Sequence, residues 1–169
     1  MTNVIFLCTG NAARSVMATV IARDRAPWLT PRGAGTFSIE GLPMSERTRN
    51  ALRGLGLADR EHRSHQLVAD DAAWADVIVA FEPQHISYVR KHFPDAAGFT
   101  ATVPRLLRFL ADDIARPLPE RLAHLDLATV PIEPWEEVVD PAGGDQDVFD
   151  ECLAEISGLL DDLLPRLRS

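Results

Sequence analysis

Residues Cys8-Thr9-Gly10-Asn11-Ala12-Ala13-Arg14-Ser15 place a thiol and a guanidinium at the two ends of one short loop. Five residues lie between Cys8 and Arg14, enough for the backbone to curl once. Such a curl aims successive N–H groups at the sulfur and at any oxyanion beside it. A helix beginning near Arg14 would add its positive end. Both effects favour thiolate over thiol, the form that attacks an electrophile. The planar fork of Arg14 can hold two oxygens of a tetrahedral anion, which a lysine could not. Thr9, Gly10, Asn11, Ala12, Ala13 and Ser15 are the residues that would cradle the anion. Asn11 also tolerates the left-handed backbone that a tight loop imposes.

The flanking residues position this loop. Val4-Ile5-Phe6-Leu7 is a β-branched and apolar run, and Val16 to Ala22 continues as an apolar helical pattern. Strands are expected over residues 3–7, 33–38, 76–81 and 99–102. Helices are expected over residues 15–26, 46–55, 83–92, 104–113 and 147–164, the last carrying an apolar stripe that ends before Pro165. This alternation predicts a doubly wound, flavodoxin-like α/β fold, a four-stranded parallel sheet with helices on both faces. Ligands of such sheets bind beyond the carboxyl ends of the strands, where the strand order switches. A loop following the first strand lies there. Residues 114–136 hold four prolines around a short apolar stretch, Arg121–Leu127, and read as an insertion or flap within one domain spanning 1–169.

If Cys8 attacks a phosphoester, the departing oxygen needs a proton from a general acid on the opposite side of the phosphorus. Asp140 is a candidate, held extended by Pro141 and followed by the Gly143-Gly144 pair. Spacing alone leaves Glu136, Glu137, Asp145 and Asp147 as alternatives, although the last two suit the start of the final helix. Cys152 falls on the apolar stripe and reads as a core residue. His65, His85, His92 and His124 show no metal-ligand spacing, and no cofactor or metal is expected.

The Cys8 loop resembles that of the low-molecular-weight protein tyrosine phosphatase family, Cys-x-Gly-Asn-x-x-Arg-Ser after an N-terminal strand. Gly33-Ala34-Gly35-Thr36, Gly41-Leu42-Pro43, His62-Arg63-Ser64, the strand at Ala75–Ala80, Val103-Pro104-Arg105 and Asp140-Pro141 follow in the family's order. The resemblance implies hydrolysis of a phosphomonoester, above all protein phosphotyrosine, through a cysteinyl-phosphate intermediate. It selects Asp140 as the acid and then as the base that activates water, and it makes Ser15 a donor to the Cys8 sulfur. It also makes His62 a supporting partner of Asn11. Phosphorylated proteins or small phosphomonoesters are the implied substrates, with inorganic phosphate and other oxyanions as inhibitors.

Two departures matter. Gly33 stands where the family usually has a serine that braces the loop. Ala142 follows Asp140-Pro141 where many members have a tyrosine beside the pocket. A replacement aromatic wall is expected from Trp135, with Phe37 and Phe81 as alternatives, while the single tyrosine, Tyr88, sits in a helix. Arsenate reductases share the loop, and a version using an external small thiol is the alternative, as is a module that only captures phosphorylated partners. A phosphoarginine phosphatase similar to this family uses a threonine where Ala12 stands, which counts against that specificity.

At 169 residues and 46% hydrophobic content, the chain can build one substantial core. Its net charge of −8 argues against nucleic acid and anionic membranes as partners. Residues 1–65 nevertheless carry nine Arg against five Asp and Glu, which places the loop in a basic half. Two cysteines and no visible export signal fit a reducing cytoplasm.

Overall fold

A computed structural model describes all 169 residues. The run after Met1 forms β1 (Thr2–Cys8), and its alternate side chains enter different cores. Val4, Phe6 and Cys8 belong to the larger apolar cluster, whereas Ile5 and Leu7 belong to the smaller one. The strand β3 (Val77–Ala80) divides the same way, with Val77 and Val79 on one side and Ile78 and Ala80 on the other. Strands buried on both faces lose the polar alternation of a half-exposed sheet, and these read as continuous apolar runs.

β2 (Leu29–Gly35) and β4 (Thr100–Thr102) complete a parallel sheet in the order β2-β1-β3-β4. β1 pairs with β2 from Thr2↔Leu29 to Cys8↔Gly35, and with β3 from Val4↔Val77 to Leu7↔Ala80. The chain leaves β1 toward one edge and returns to its other side through β3. The switch point therefore lies between the carboxyl ends of β1 and β3, where Cys8 ends its strand.

On the larger-core side stand α1 (Arg14–Arg25), α2 (Glu46–Gly54), α5 (Val103–Phe109), α6 (Leu118–Ala123) and α7 (Gln146–Leu163). On the other side, α3 (Ala69–Trp74) and α4 (Pro83–His92) bring Ala72, Ile86 and Val89 to the smaller core. Cys152 lies within the larger core, on the stripe of α7.

The structure departs from the expected elements in four places. β2 starts and ends earlier, because Pro31 is tolerated on an edge strand where its missing N–H faces no partner. α3 escaped the periodicity since one short turn of helix buries only Ala72. α5 stops at Phe109, where Leu110 turns extended and sinks into the core. The segment expected as a flap is instead anchored. Leu118, Leu122 and Leu127 join the larger core, and the buried Arg121 guanidinium donates to the carbonyls of Ala111 and Arg166 at 3.2 and 2.6 Å. Its helix starts at Leu118, with Pro119 in the first turn, and the left-handed Asp126 follows it.

Candidate active site

The loop from Cys8 to Arg14 takes its shape from Asn11, whose backbone is left-handed at φ 50°. The fully buried Asn11 side chain accepts from the His65 backbone N–H at 3.0 Å and donates through Nδ2 to Ser15 Oγ at 2.8 Å. Because that donor occupies an acceptor position of Ser15, the serine hydroxyl is left to donate to Cys8 Sγ, 2.9 Å away. His62 contributes too, but Nε2 meets the backbone carbonyl of Asn11 at 3.0 Å rather than its side chain. Burial lowers the affinity of His62 for a second proton, which suits a neutral ring donating to that carbonyl.

Two neighbours clamp the loop from outside. The N–H groups of Thr36 and Phe37 donate to the carbonyls of Cys8 and Thr9, each at 2.9 Å. Gly33 and Gly35 permit this approach, since a Cβ at Gly33 would sit 2.7 Å from Asn11 Nδ2 and one at Gly35 2.4 Å from the Thr9 carbonyl. The glycine at 33 thus makes room for the Asn11 amide, which takes up the bracing itself. On the other side, His85 Nδ1 accepts from the Phe81 N–H at 3.4 Å, so Nε2–H donates to Thr9 Oγ1 at 3.0 Å. Burial, with the Arg14 charge adding to it, lowers the pKa of His85 to about 3.

From Gly10 to Ser15 no backbone N–H donates to another group of the protein. α1 begins at Arg14 without a side-chain cap and without an acidic residue in its first turn. Uncapped N–H groups in a curled loop at a helix start form a concave anion site.

Arg14 is 1% exposed and held by groups from across the switch point. Its Nη1 pairs with the Glu82 carboxylate and donates to the Val138 carbonyl at 2.8 Å. Nη2 stands 3.3 Å from Asp140 Oδ2, and Nε makes no hydrogen bond within the protein. Glu82 is the N-cap of α4, one residue beyond the turn that leaves β3 at Phe81, and Val138 is tied to that same turn by its N–H bond to the Phe81 carbonyl at 2.7 Å. Asp140 Oδ1 accepts from the Ala142 N–H at 3.0 Å, while the side chain stays 42% exposed.

Cys8, Gly10, Arg14 and Asp140 line one cavity of about 150 Å³. Its aromatic wall is Phe149 of α7, which corrects the expectation for Trp135. Trp135 instead packs near Phe109, at 6.1 Å between ring centroids, with the Arg108 guanidinium 4.8 Å above it. Ser45, the N-cap of α2, also lines the cavity. Among the alternative carboxylates, Glu136 is buried away from the cavity and bound by Arg105 at 2.6 and 2.9 Å. Asp145 caps α7 by accepting from the Val148 N–H at 3.2 Å.

The family model for low molecular weight phosphotyrosine protein phosphatase matches residues 3–118. The chain belongs to that family. It is 27% identical over 167 residues to a protein-arginine-phosphatase of Geobacillus stearothermophilus, covering 98% of this chain and 96% of that protein. It is 28% identical over 98 residues to the low molecular weight protein-tyrosine-phosphatase Etp of Escherichia coli K12, covering 58% of this chain and 66% of that one. Among solved structures, the arginine phosphatase YwlE of G. stearothermophilus superposes with TM-score 0.77 at 25% identity, covering 97% of this chain and 91% of that one. A low molecular weight protein tyrosine phosphatase from T. tengcongensis gives 0.74 at 27% identity, covering 96% and 97%.

In this phosphatase the sequence pattern missed Glu82, His85, Ser45 and Phe149. Glu82 carried a usable signal, since it follows the strand beside β1 on the carboxyl side of the sheet. Phe149 carried none, because its place on an apolar stripe is equally that of a core residue.

Proposed function

We propose that the chain hydrolyses phosphotyrosine in proteins, with Cys8 as nucleophile, Arg14 as phosphoryl clamp and Asp140 as general acid and base. The observation that carries this reading is the convergence of Cys8, Arg14 and Asp140 on one small cavity floored by free backbone N–H groups. Cys8 Sγ attacks phosphorus while the phosphorus–oxygen bond to the leaving group breaks, and Asp140 gives that oxygen its proton. The loop N–H groups and the Nε and Nη2 edge of Arg14 receive the equatorial oxygens, with Nη1 already committed to Glu82 and Val138. Ser15 then stabilises the departing sulfur, and the Asp140 carboxylate takes a proton from the water that attacks the cysteinyl phosphate. Thr9, Asn11, Ala12 and Ala13 shape the loop.

Phosphoarginine is the second reading, favoured by the full-length likeness to a relative named for that activity. Against it, position 12 presents the methyl group of Ala12 to the cavity, and Phe149 offers a flat wall to a phenyl ring. Matched phosphotyrosine, phosphoserine and phosphoarginine peptides decide between them. Phosphotyrosine should give the highest kcat/KM, and faster release of phosphate from the phosphoarginine peptide would reverse the assignment. Cys8→Ser should abolish turnover while retaining vanadate binding. Iodoacetate should label wild type at Cys8 only, blocked by phosphate, since burial pushes the Cys152 thiol up to about 12.

A further inference from the structure

A second cleft, of about 360 Å³, opens beside the active site and is lined by Arg49, Arg53, Arg60, Arg63, His62 and one acid, Asp59. All four arginines are exposed, and none forms an ion pair. The Asp59 carboxylate is already taken by Arg23 at 2.7 Å. Arg63 uses only one nitrogen, on the His62 carbonyl at 2.7 Å. The chain has 25 Asp and Glu and a net charge of −8, so this cleft stays cationic although carboxylates are plentiful elsewhere. Arg49 and Arg53 are four apart on α2, a like-charge spacing whose repulsion an anionic occupant would relieve.

The cleft and the active site are linked through the start of α2. Ser45 lines the catalytic cavity, and its chain neighbour Met44 lines the cleft. Thr48 Oγ1 donates to the Ala12 carbonyl at 2.8 Å, which ties the start of α2 to the phosphate loop. His62 faces the cleft and touches Asn11 of the same loop. From Ser45, Arg49 and Arg53 follow at successive helical turns, a run of about 12 Å at ~1.5 Å per residue. An extended peptide covers that length in about three to four residues.

We propose that this cleft binds acidic residues lying within about four positions of the phosphorylated side chain in a protein substrate. The proposal rests on the phosphatase reading above. Nucleic acid fits less well, since a short cleft on a strongly acidic protein gathers few phosphates against long-range repulsion.

The test uses two phosphotyrosine peptides, one flanked on both sides by three glutamates and one flanked by alanines. Binding to Cys8→Ser is read by fluorescence polarisation, and kcat/KM is measured on wild type and Arg49→Glu/Arg53→Glu. Each enzyme is referenced to p-nitrophenyl phosphate, which is too small to span both sites. The acidic peptide should bind about tenfold tighter and show a similar gain in kcat/KM relative to p-nitrophenyl phosphate. Both gains should vanish in the double variant and shrink in 0.5 M salt, as roughly 3–10 Å screening lengths require. Equal affinity for the two peptides, or a preference that survives charge reversal, overturns the proposal. So does a short single-stranded oligonucleotide that binds as tightly as the acidic peptide. An intact acidic preference in binding without turnover of either peptide would instead support the cleft and overturn the phosphatase reading alone.

Discussion

Arg14 is buried with its charge committed on one edge, so its geometry matters more than its charge. Glu82 and the Val138 carbonyl fix Nη1, which presents the opposite edge of a planar group to the anion. A lysine would carry the same charge to the Glu82 carboxylate but offer no second prong. Arg14→Lys should therefore lower kcat/KM for p-nitrophenyl phosphate by about two orders of magnitude or more, the scale of losing an oxyanion donor. Near-wild-type activity in that variant would refute the clamp. Asp140 stands 3.3 Å from the same guanidinium yet remains partly exposed, a position from which a carboxyl can exchange protons with water. Asp140→Asn should slow phenyl phosphate severely and p-nitrophenyl phosphate much less, because nitrophenolate leaves with little help. A uniform loss across leaving groups would reduce Asp140 to a loop-shaping residue.

Helix starts carry much of the local order, and they use different devices. α1 opens uncapped where the anion belongs, whereas α2 and α7 open on Ser45 and Asp145, each accepting from a backbone N–H three residues on. Asp145→Ala should cost about 1 kcal/mol of stability in urea unfolding, the usual loss for a removed cap. Its kcat for p-nitrophenyl phosphate should stay within about twofold of wild type, which separates this aspartate from Asp140. A large drop in kcat without a change in stability would place Asp145 in the chemistry instead. The segment from residue 114 to 136 is anchored to the core through Leu118, Leu122 and Leu127, and its Arg121 donates to the carbonyls of Ala111, Arg116 and Arg166.

Across the whole molecule, acid should weaken the fold through His85. The native ring stays neutral down to about pH 3, whereas an unfolded histidine takes its proton near 6.5. Below 6.5 the unfolded chain therefore binds more protons, and stability falls as pH drops from 6.5 toward 3. From pH 6.5 to 5 this single group accounts for a loss on the order of 2 kcal/mol, at about 1.4 kcal/mol per pH unit. His65 acts in the opposite sense. Its burial is outweighed by Asp71 at 2.7 Å and by Glu40, which raise its proton affinity and add stability as pH falls. Comparing His85→Gln with wild type isolates the first effect. The variant should lose clearly less stability between pH 7 and 5, and an identical slope would show that His85 is not the acid-sensitive group.

Local chemistry was legible in the chain wherever one short segment holds all its parts. The Cys8 loop, the strand before it and the helix after it are contiguous, so spacing alone implied the curl, and the left-handed Asn11 agrees with it. The alternation of strands with helices along the chain implied the parallel sheet, and burial on both faces shows in the strands as continuous apolar runs. Everything that crosses the sheet was left to the tertiary structure. Glu82 reaches Arg14 over 68 positions, Val138 over 124, and Phe149 comes to the cavity from the last helix. Their identities fit several environments equally well, and only packing chooses among them. The same holds for the four arginines beside the site, which read as scattered surface charge until α2 and the loop after it bring them to one cleft.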